Sequence, residues 1–180
     1  MKKNLFLIIS VLHLSSSLLW AESNGPSGRL GIGVREPGKL TQWEYFVKLF
    51  VSKRVDLSAG FSYRADTEGG YDRKILPLGL GTFYHLFPNN PVHLKLGARI
   101  GYEYENWNSS FQEITSNFWA FEPSMGVEYF FSSHFSLGPE VSLQLGRLFE
   151  KFHRKDTGMI AKYDSSVQQF VTSIAIVFYF

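Results

Sequence analysis

Apolar and polar residues alternate along this chain with a period of two, and the alternation recurs from Gly28 almost to the last residue. In Val55–Arg64 one face carries Val55, Leu57, Ala59, Phe61 and Tyr63, and the other carries Asp56, Ser58, Gly60, Ser62 and Arg64. Val92–Glu105 sorts its residues more cleanly still, with Leu94, Leu96, Ile100, Tyr102 and Tyr104 on one face and His93, Lys95, Arg99 and Glu105 on the other. A helix, with its period of about 3.6 residues, cannot produce this sorting. Further strands are predicted at Gly28–Arg35, Gln42–Ser52, Lys74–Phe87, Asn117–Phe131, Phe135–Leu148 and Ser166–Phe180. That makes about eight strands, an even number suited to a small closed barrel. Most have the roughly 9–11 residues that a tilted strand needs to cross a bilayer.

The segments between them alternate in length. Ser52–Arg54, Pro88–Pro91 and Ser132–His134 read as tight turns, whereas Ala65–Arg73, Asn106–Ser116 and Phe149–Ser165 read as long polar loops. Short turns on the side of the termini and long loops outside are the barrel arrangement, with a short first connection near Glu36–Thr41 as the exception. Pro77, Pro123 and Pro139 fall inside predicted strands, where a ladder donor is missing, so bulges or strand ends are expected there.

Alternation alone does not say which face is wet. An eight-stranded barrel has a narrow interior, and the apolar faces carry too many large residues to fit inside it. The apolar face is therefore expected to meet lipid. Tyr63, Tyr102 and Trp119, with Trp43, fall at the predicted outer strand ends, and Tyr84, Tyr129 and Phe135 at the inner ends. Together they predict two aromatic girdles. The opposite face is rich in Gly and Ser with scattered charges. Arg29, Lys48, Lys95 and Arg99 are expected to pair in the lumen with Glu44, Asp56, Glu122, Glu128 and Glu140. Phe46, Phe50, Phe118 and Phe130 share the inward register, which predicts a plugged barrel with negligible conductance.

Composition adjusts this picture in three places. Lys2 and Lys3, the apolar run Leu5–Leu19 and small Ala21 make a secretory signal, so 1–21 is expected to be removed and 22–180 to form the barrel domain. Without the two signal lysines, the 18 Lys+Arg of the whole chain fall to 16, matching the 16 Asp+Glu. A neutral mature chain excludes the basic balance of a nucleic-acid binder. Cys is absent, so backbone closure rather than disulfides must stabilise the domain.

The final strand places Phe170, Ile174, Ile176, Phe178 and Phe180 on one face and ends on an aromatic residue. It resembles the signal by which bacterial outer-membrane proteins are recognised by the barrel-assembly machinery. Glu122–Phe131, followed by a short turn and Phe135–Pro139, resembles the small outer-membrane β-barrel domain family, which includes adhesion, invasion and opacity-type proteins. The resemblance covers most of the mature chain and rests on pattern. It implies an all-β, eight-stranded antiparallel transmembrane barrel in the bacterial outer membrane, with surface loops serving adhesion, envelope integrity or host interaction. The partners it implies are outer-membrane lipids and lipopolysaccharide, periplasmic chaperones and the assembly machinery, and a host or surface ligand. A monomer is expected.

Little in the chain points to chemistry. Gly28–Gly33 and Gly79–Gly81 lack the strand-to-helix context of a nucleotide fingerprint, and no Cys or His spacing marks a zinc site, so neither cofactor nor metal is expected. His85 and His93 point inward beside a turn and suit structural roles. His153 lies near Asp156, Ser165 and Ser166 in sequence, but nucleophilic catalysis requires geometry that spacing does not supply, and no catalytic residue is assigned. Lys151, His153, Arg154 and Lys155 form a candidate surface-contact loop for phosphates or an acidic ligand. Two alternatives stay open at this stage: a lipid-A-modifying membrane enzyme, and a soluble periplasmic lipocalin-like carrier with its apolar face turned inward.

Overall fold

The computed structural model describes residues 28–37, 44–68, 70–88 and 90–180. The signal-like 1–21 and Trp43 lie outside the described residues, as does most of the first outer connection. Nine strand segments follow one another: β1 (Leu30–Pro37), β2 (Glu44–Phe50), β3 (Val55–Phe61), β4 (Arg64–Glu68), β5 (Tyr71–Leu86), β6 (Val92–Asn108), β7 (Gln112–Ser132), β8 (Phe135–Arg154) and β9 (Ile160–Tyr179). Each pairs antiparallel with its neighbours in the order β3-β2-β1-β9-β8-β7-β6-β5-β4, and β3 against β5 closes the ring. β3 and β4 are one barrel strand. Phe61 opposite Leu78 and Arg64 opposite Ile75 hold the same register, so nothing is inserted at the break. The barrel therefore has eight strands.

The registers also fix its shape. Across the ladder Val34 faces Tyr45, followed by Phe61, Leu78, Tyr102, Trp119, Arg147 and Ser166. The β9–β1 register, with Gly31 opposite Tyr179, carries that line to position 44, ten residues beyond Val34. Eight strands with this stagger tilt by about 40°, and each residue then climbs about 2.5 Å along the barrel axis.

The apolar face is on the outside, so the inward-facing lipocalin-like arrangement is not the one adopted. Leu80, Ile100, Met125 and Phe170 are 67%, 59%, 58% and 77% exposed, part of a continuous ring that water alone would not tolerate. Tyr84, Tyr129, Phe135 and Phe178 line its inner edge, and Tyr63, Tyr102 and Trp119 its outer edge. From Val92 to Tyr102 on β6 this belt is about 25 Å tall, the height of a lipid-facing band.

Two expectations need correction. The outer aromatic residues do not end their strands: β6 runs on to Asn108, β7 begins at Gln112, β8 reaches Arg154 and β9 begins at Ile160. Most of Ala65–Arg73, Asn106–Ser116 and Phe149–Ser165 is thus paired strand rather than loop. Above the belt both faces meet water, so polar residues such as Asn106, Thr115 and Glu105 occupy either side and the alternation vanishes while the hydrogen bonds persist.

The prolines also differ from expectation, for they sit inside continuous strands without bulges. A strand residue directs its N–H to one neighbour only, so a proline empties one side of the ladder. Pro123 stays opposite Ala98, while on the β8 side the ladder skips from Phe121–Leu145 to Ser124–Ser142. Pro139 stays opposite Ile174, and the skip falls between Gly126–Glu140 and Tyr129–Leu137. Pro77 accepts from the Ser62 amide at 3.1 Å and cannot reciprocate, which is why β3 and β4 part there. The register is unchanged across every gap. The register shift on the β7–β8 seam lies elsewhere, between Phe130 and Ser132 at the inner turn.

Candidate functional site

The inner half of the lumen is filled by a cluster drawn from seven of the barrel strands. Strand alternation turns Lys48, Asp56, His85, His93, Glu128, Ser136 and Tyr179 inward, and all are buried. Lys48 Nζ lies 2.5 Å from Glu128 and 3.1 Å from Asp56. His85 Nε2 is 2.5 Å from the same Asp56 carboxylate, and His93 Nδ1 is 3.3 Å from His85 Nδ1. Ser136 Oγ and the Tyr179 hydroxyl donate to Glu128 Oε1 at 2.6 and 2.5 Å. Phe50 packs on Tyr179 and His85, with ring centres 5.8 and 4.9 Å apart, and Phe130 stacks on Tyr179 at 5.7 Å beside Phe50. Asp56, His85 and Glu128 converge closely enough to hold a cation. The Lys48 ammonium stands between the two carboxylates, so the fold supplies that cation itself. Buried charges are tolerable only with such pairing and hydrogen bonding.

Above it, Lys95 pairs with Glu140 at 2.9 Å, and Arg99 bridges Glu140 and Glu122. Arg99 also donates to Ser142 at 3.0 Å. Both cations lie over the Phe83 ring. Arg35 pairs with Glu44 at 3.1 Å and stacks on Phe46. Higher still the lumen widens into a cavity of about 320 Å³ walled by Arg35, Glu44, Arg73, Arg99 and Glu122. Arg35 Nε, Arg99 Nη1 and Ser173 Oγ are buried with no protein partner, which suits water in this space. Arg73–Glu105 at 2.6 Å and Arg64–Asp66 at 2.6 Å stand at the outer mouth.

The structure brings Glu44, Lys48, Asp56, Lys95, Arg99, Glu122, Glu128 and Glu140 together in the lumen. It leaves Arg29 out: that guanidinium donates to the Ser133 carbonyl at 3.1 Å on the exposed inner rim, because Arg29 precedes β1 and Phe50 closes the barrel above it. Arg35 and Tyr179 belong to the network and escaped the sequence reading. Both carry the inward parity of their strands, Arg35 after Gly31 and Gly33, and Tyr179 between the outward Phe178 and Phe180. Phe170, Ile174, Ile176, Phe178 and Phe180 face outward together, as do Tyr63, Tyr84, Tyr102, Trp119, Tyr129 and Phe135.

The candidate contact residues do not form a loop. Lys151, His153 and Arg154 belong to β8, and alternation sends Arg154 to the opposite side from the other two. Arg154 binds Asp156 at 2.9 Å. Lys155 Nζ donates to Asn108 Oδ1 and the Ser109 carbonyl at 2.7 and 2.6 Å, and its amide bonds to the Phe111 carbonyl, tying the β8–β9 tip to the β6–β7 tip. His153 stands opposite Ile160, whereas Ser165 and Ser166 stand opposite Leu148 and Arg147, well down the strand. That constellation is not assembled.

Comparison with known proteins follows the architecture. Residues 40–167 match the family described as Protein of unknown function, DUF481. No curated protein matches the chain in sequence. Among solved structures, the N-terminal β-barrel domain of Pseudomonas aeruginosa OprF superposes with a TM-score of 0.56 at 12% identity, covering 86% of this chain and 98% of that one. A major outer membrane protein from Thermus thermophilus gives 0.49 at 15% identity, over 84% and 99%. Ail, the attachment invasion locus protein of Yersinia pestis, gives 0.43 at 12% identity, over 85% and 98%. At these identities likeness speaks for fold alone, and of these three the OprF domain is the one similar enough to bear on it. It shows that the chain has the fold of that small β-barrel domain.

Proposed function

We propose, for a chain that belongs to the DUF481 family of proteins of unknown function, that it is an integral outer-membrane barrel without a catalytic role, whose raised outer sheet makes contacts at the cell surface. One observation carries the reading. An apolar, aromatic-edged belt encircles the barrel, and β6–β9 continue past it as a paired, polar sheet. Lipid explains the belt and water the sheet. Adhesion, envelope integrity and host interaction are the roles open to such a sheet, and the packed inner lumen favours these over conduction.

Outer-membrane fractions run unboiled and boiled on detergent gels test the membrane part. A heat-dependent mobility shift is expected, because a closed barrel has no free edge for detergent to open. Protein recovered in the soluble periplasmic extract without a shift would refute it. For the surface part, shortening both tips (108–112 and 154–160) should lower cell attachment while leaving the heat shift intact. Unchanged attachment would remove the contact role, and altered lipid A from expressing cells would replace it with an enzymatic one.

A further inference from the structure

One cross-strand row on the exterior of the raised sheet carries cations and no carboxylate. Lys74 stands opposite Asn106, Asn106 opposite Thr115, Thr115 opposite Lys151, and Lys151 opposite Lys162. All five share the outward parity of the lipid-facing residues below them. The parallel row four residues lower holds Leu78, Tyr102, Trp119, Arg147 and Ser166, of which Tyr102 and Trp119 mark the upper edge of the aromatic belt. Lys74, Lys151 and Lys162 are exposed.

Elsewhere on this face the sheet compensates its cations internally: Arg147 binds Asp164 at 2.8 Å. Among the described residues none of the three lysines of the row has an ion-pair partner. Lys151 and Lys162 are directly opposite, an arrangement that is unfavourable for like charges unless an anion lies between them. Because the strands tilt, the row climbs by about 12 Å, from about 4 Å above the level of Trp119 at Lys74 to about 16 Å above it at Lys162. A phospholipid places one phosphate layer just beyond the hydrocarbon, within about 5–8 Å. A row that extends well beyond that depth fits a headgroup that carries phosphates at several heights.

We propose that this row docks the phosphorylated sugar headgroup of lipopolysaccharide, with Lys151 and Lys162 sharing one phosphate and Lys74 reaching another nearer the acyl chains. The assignment rests on the outer-membrane reading above, and it names a lipid partner for the raised sheet. Between the lysines, Asn106 donates to Thr115 Oγ1 at 3.3 Å and to Glu113 Oε1 at 3.1 Å, so the carboxylate nearest the centre of the row is held by a neutral amide and not by a lysine.

The test uses the whole barrel folded in neutral detergent, titrated with purified lipopolysaccharide and with the same material enzymatically dephosphorylated. Phosphate removal should weaken binding by about tenfold or more, and added salt should weaken the phosphorylated form selectively. The triple substitution Lys74→Ser, Lys151→Ser and Lys162→Ser should reproduce the loss while keeping the heat-dependent gel shift. Equal affinity for the two lipopolysaccharides overturns the proposal whether or not the variant folds. So does a folded variant that binds like the parent. A parent protein with no heat shift refutes the barrel itself, which separates that failure from failure of the row.

Discussion

The two halves of the lumen are built from the same alternation and end differently. In the inner half, Lys48, Asp56, His85, Glu128, Ser136 and Tyr179 interlock around Phe50, and each charge is held by short contacts, although Asp56 Oδ1 is left without a partner. In the outer half, Arg35, Arg99 and Ser173 leave polar atoms unpartnered around a cavity, and the ion pairs Arg73–Glu105 and Arg64–Asp66 are partly open to water. The inner strands are crowded by glycine and aromatic neighbours, whereas the outer wall is spaced by polar side chains. A row of inward charges therefore becomes a seal where aromatic residues exclude water, and a hydrated vestibule where they do not.

That contrast makes graded predictions. Lys48→Met leaves two carboxylates buried without their cation and should cost about 3–5 kcal/mol, read by denaturant unfolding followed through tryptophan fluorescence. A loss no greater than that of an outer-lumen substitution would erase the distinction between the halves. Tyr179→Phe removes one hydrogen bond to a buried carboxylate and should cost about 1.5–3 kcal/mol in the same experiment. Glycine substitutions sharpen the comparison further. A Cβ on Gly33 would sit 2.6 Å from both the Ile176 carbonyl oxygen and the Phe46 ring, whereas on Gly101 the nearest atom is the Leu78 carbonyl oxygen at 3.9 Å. Gly33→Ala should destabilise by about 1–3 kcal/mol, and Gly101→Ala should leave the unfolding midpoint nearly unchanged; equal effects would show that the wall at Gly33 is no tighter than at Gly101. The smallest effect is expected for Arg73→Gln, under about 1 kcal/mol, because water replaces the lost partner at the mouth.

Legibility in the sequence followed the dielectric boundary. Where one face met lipid and the other the lumen, as in Val92–Tyr102, alternation marked strand, face and inward charge together. The inward positions of Lys48, Asp56, Lys95, Arg99, Glu122, Glu128 and Glu140 were readable from parity alone. Above the belt the contrast disappeared, so Lys151 and His153 read as loop although they are paired strand. Arg29 shared the inward parity of β1 but lay beyond its end, where parity no longer buries a side chain. Partner choice was illegible throughout, since nothing along the chain brings Lys48 to Glu128, eighty positions away.

By itself the sequence determined the strand count, the lipid-facing side and the list of residues turned inward, because a period of two between unlike solvents leaves one sorting of side chains. Only the tertiary structure decided which carboxylate meets which cation, how three prolines fit without bulges, and that lysines from β5, β8 and β9 share one row. Those outcomes depend on the register between strands and on the ten-residue stagger that closes the ring. Register is a relation between distant segments, and it is set only when every backbone group round the barrel finds its partner at once.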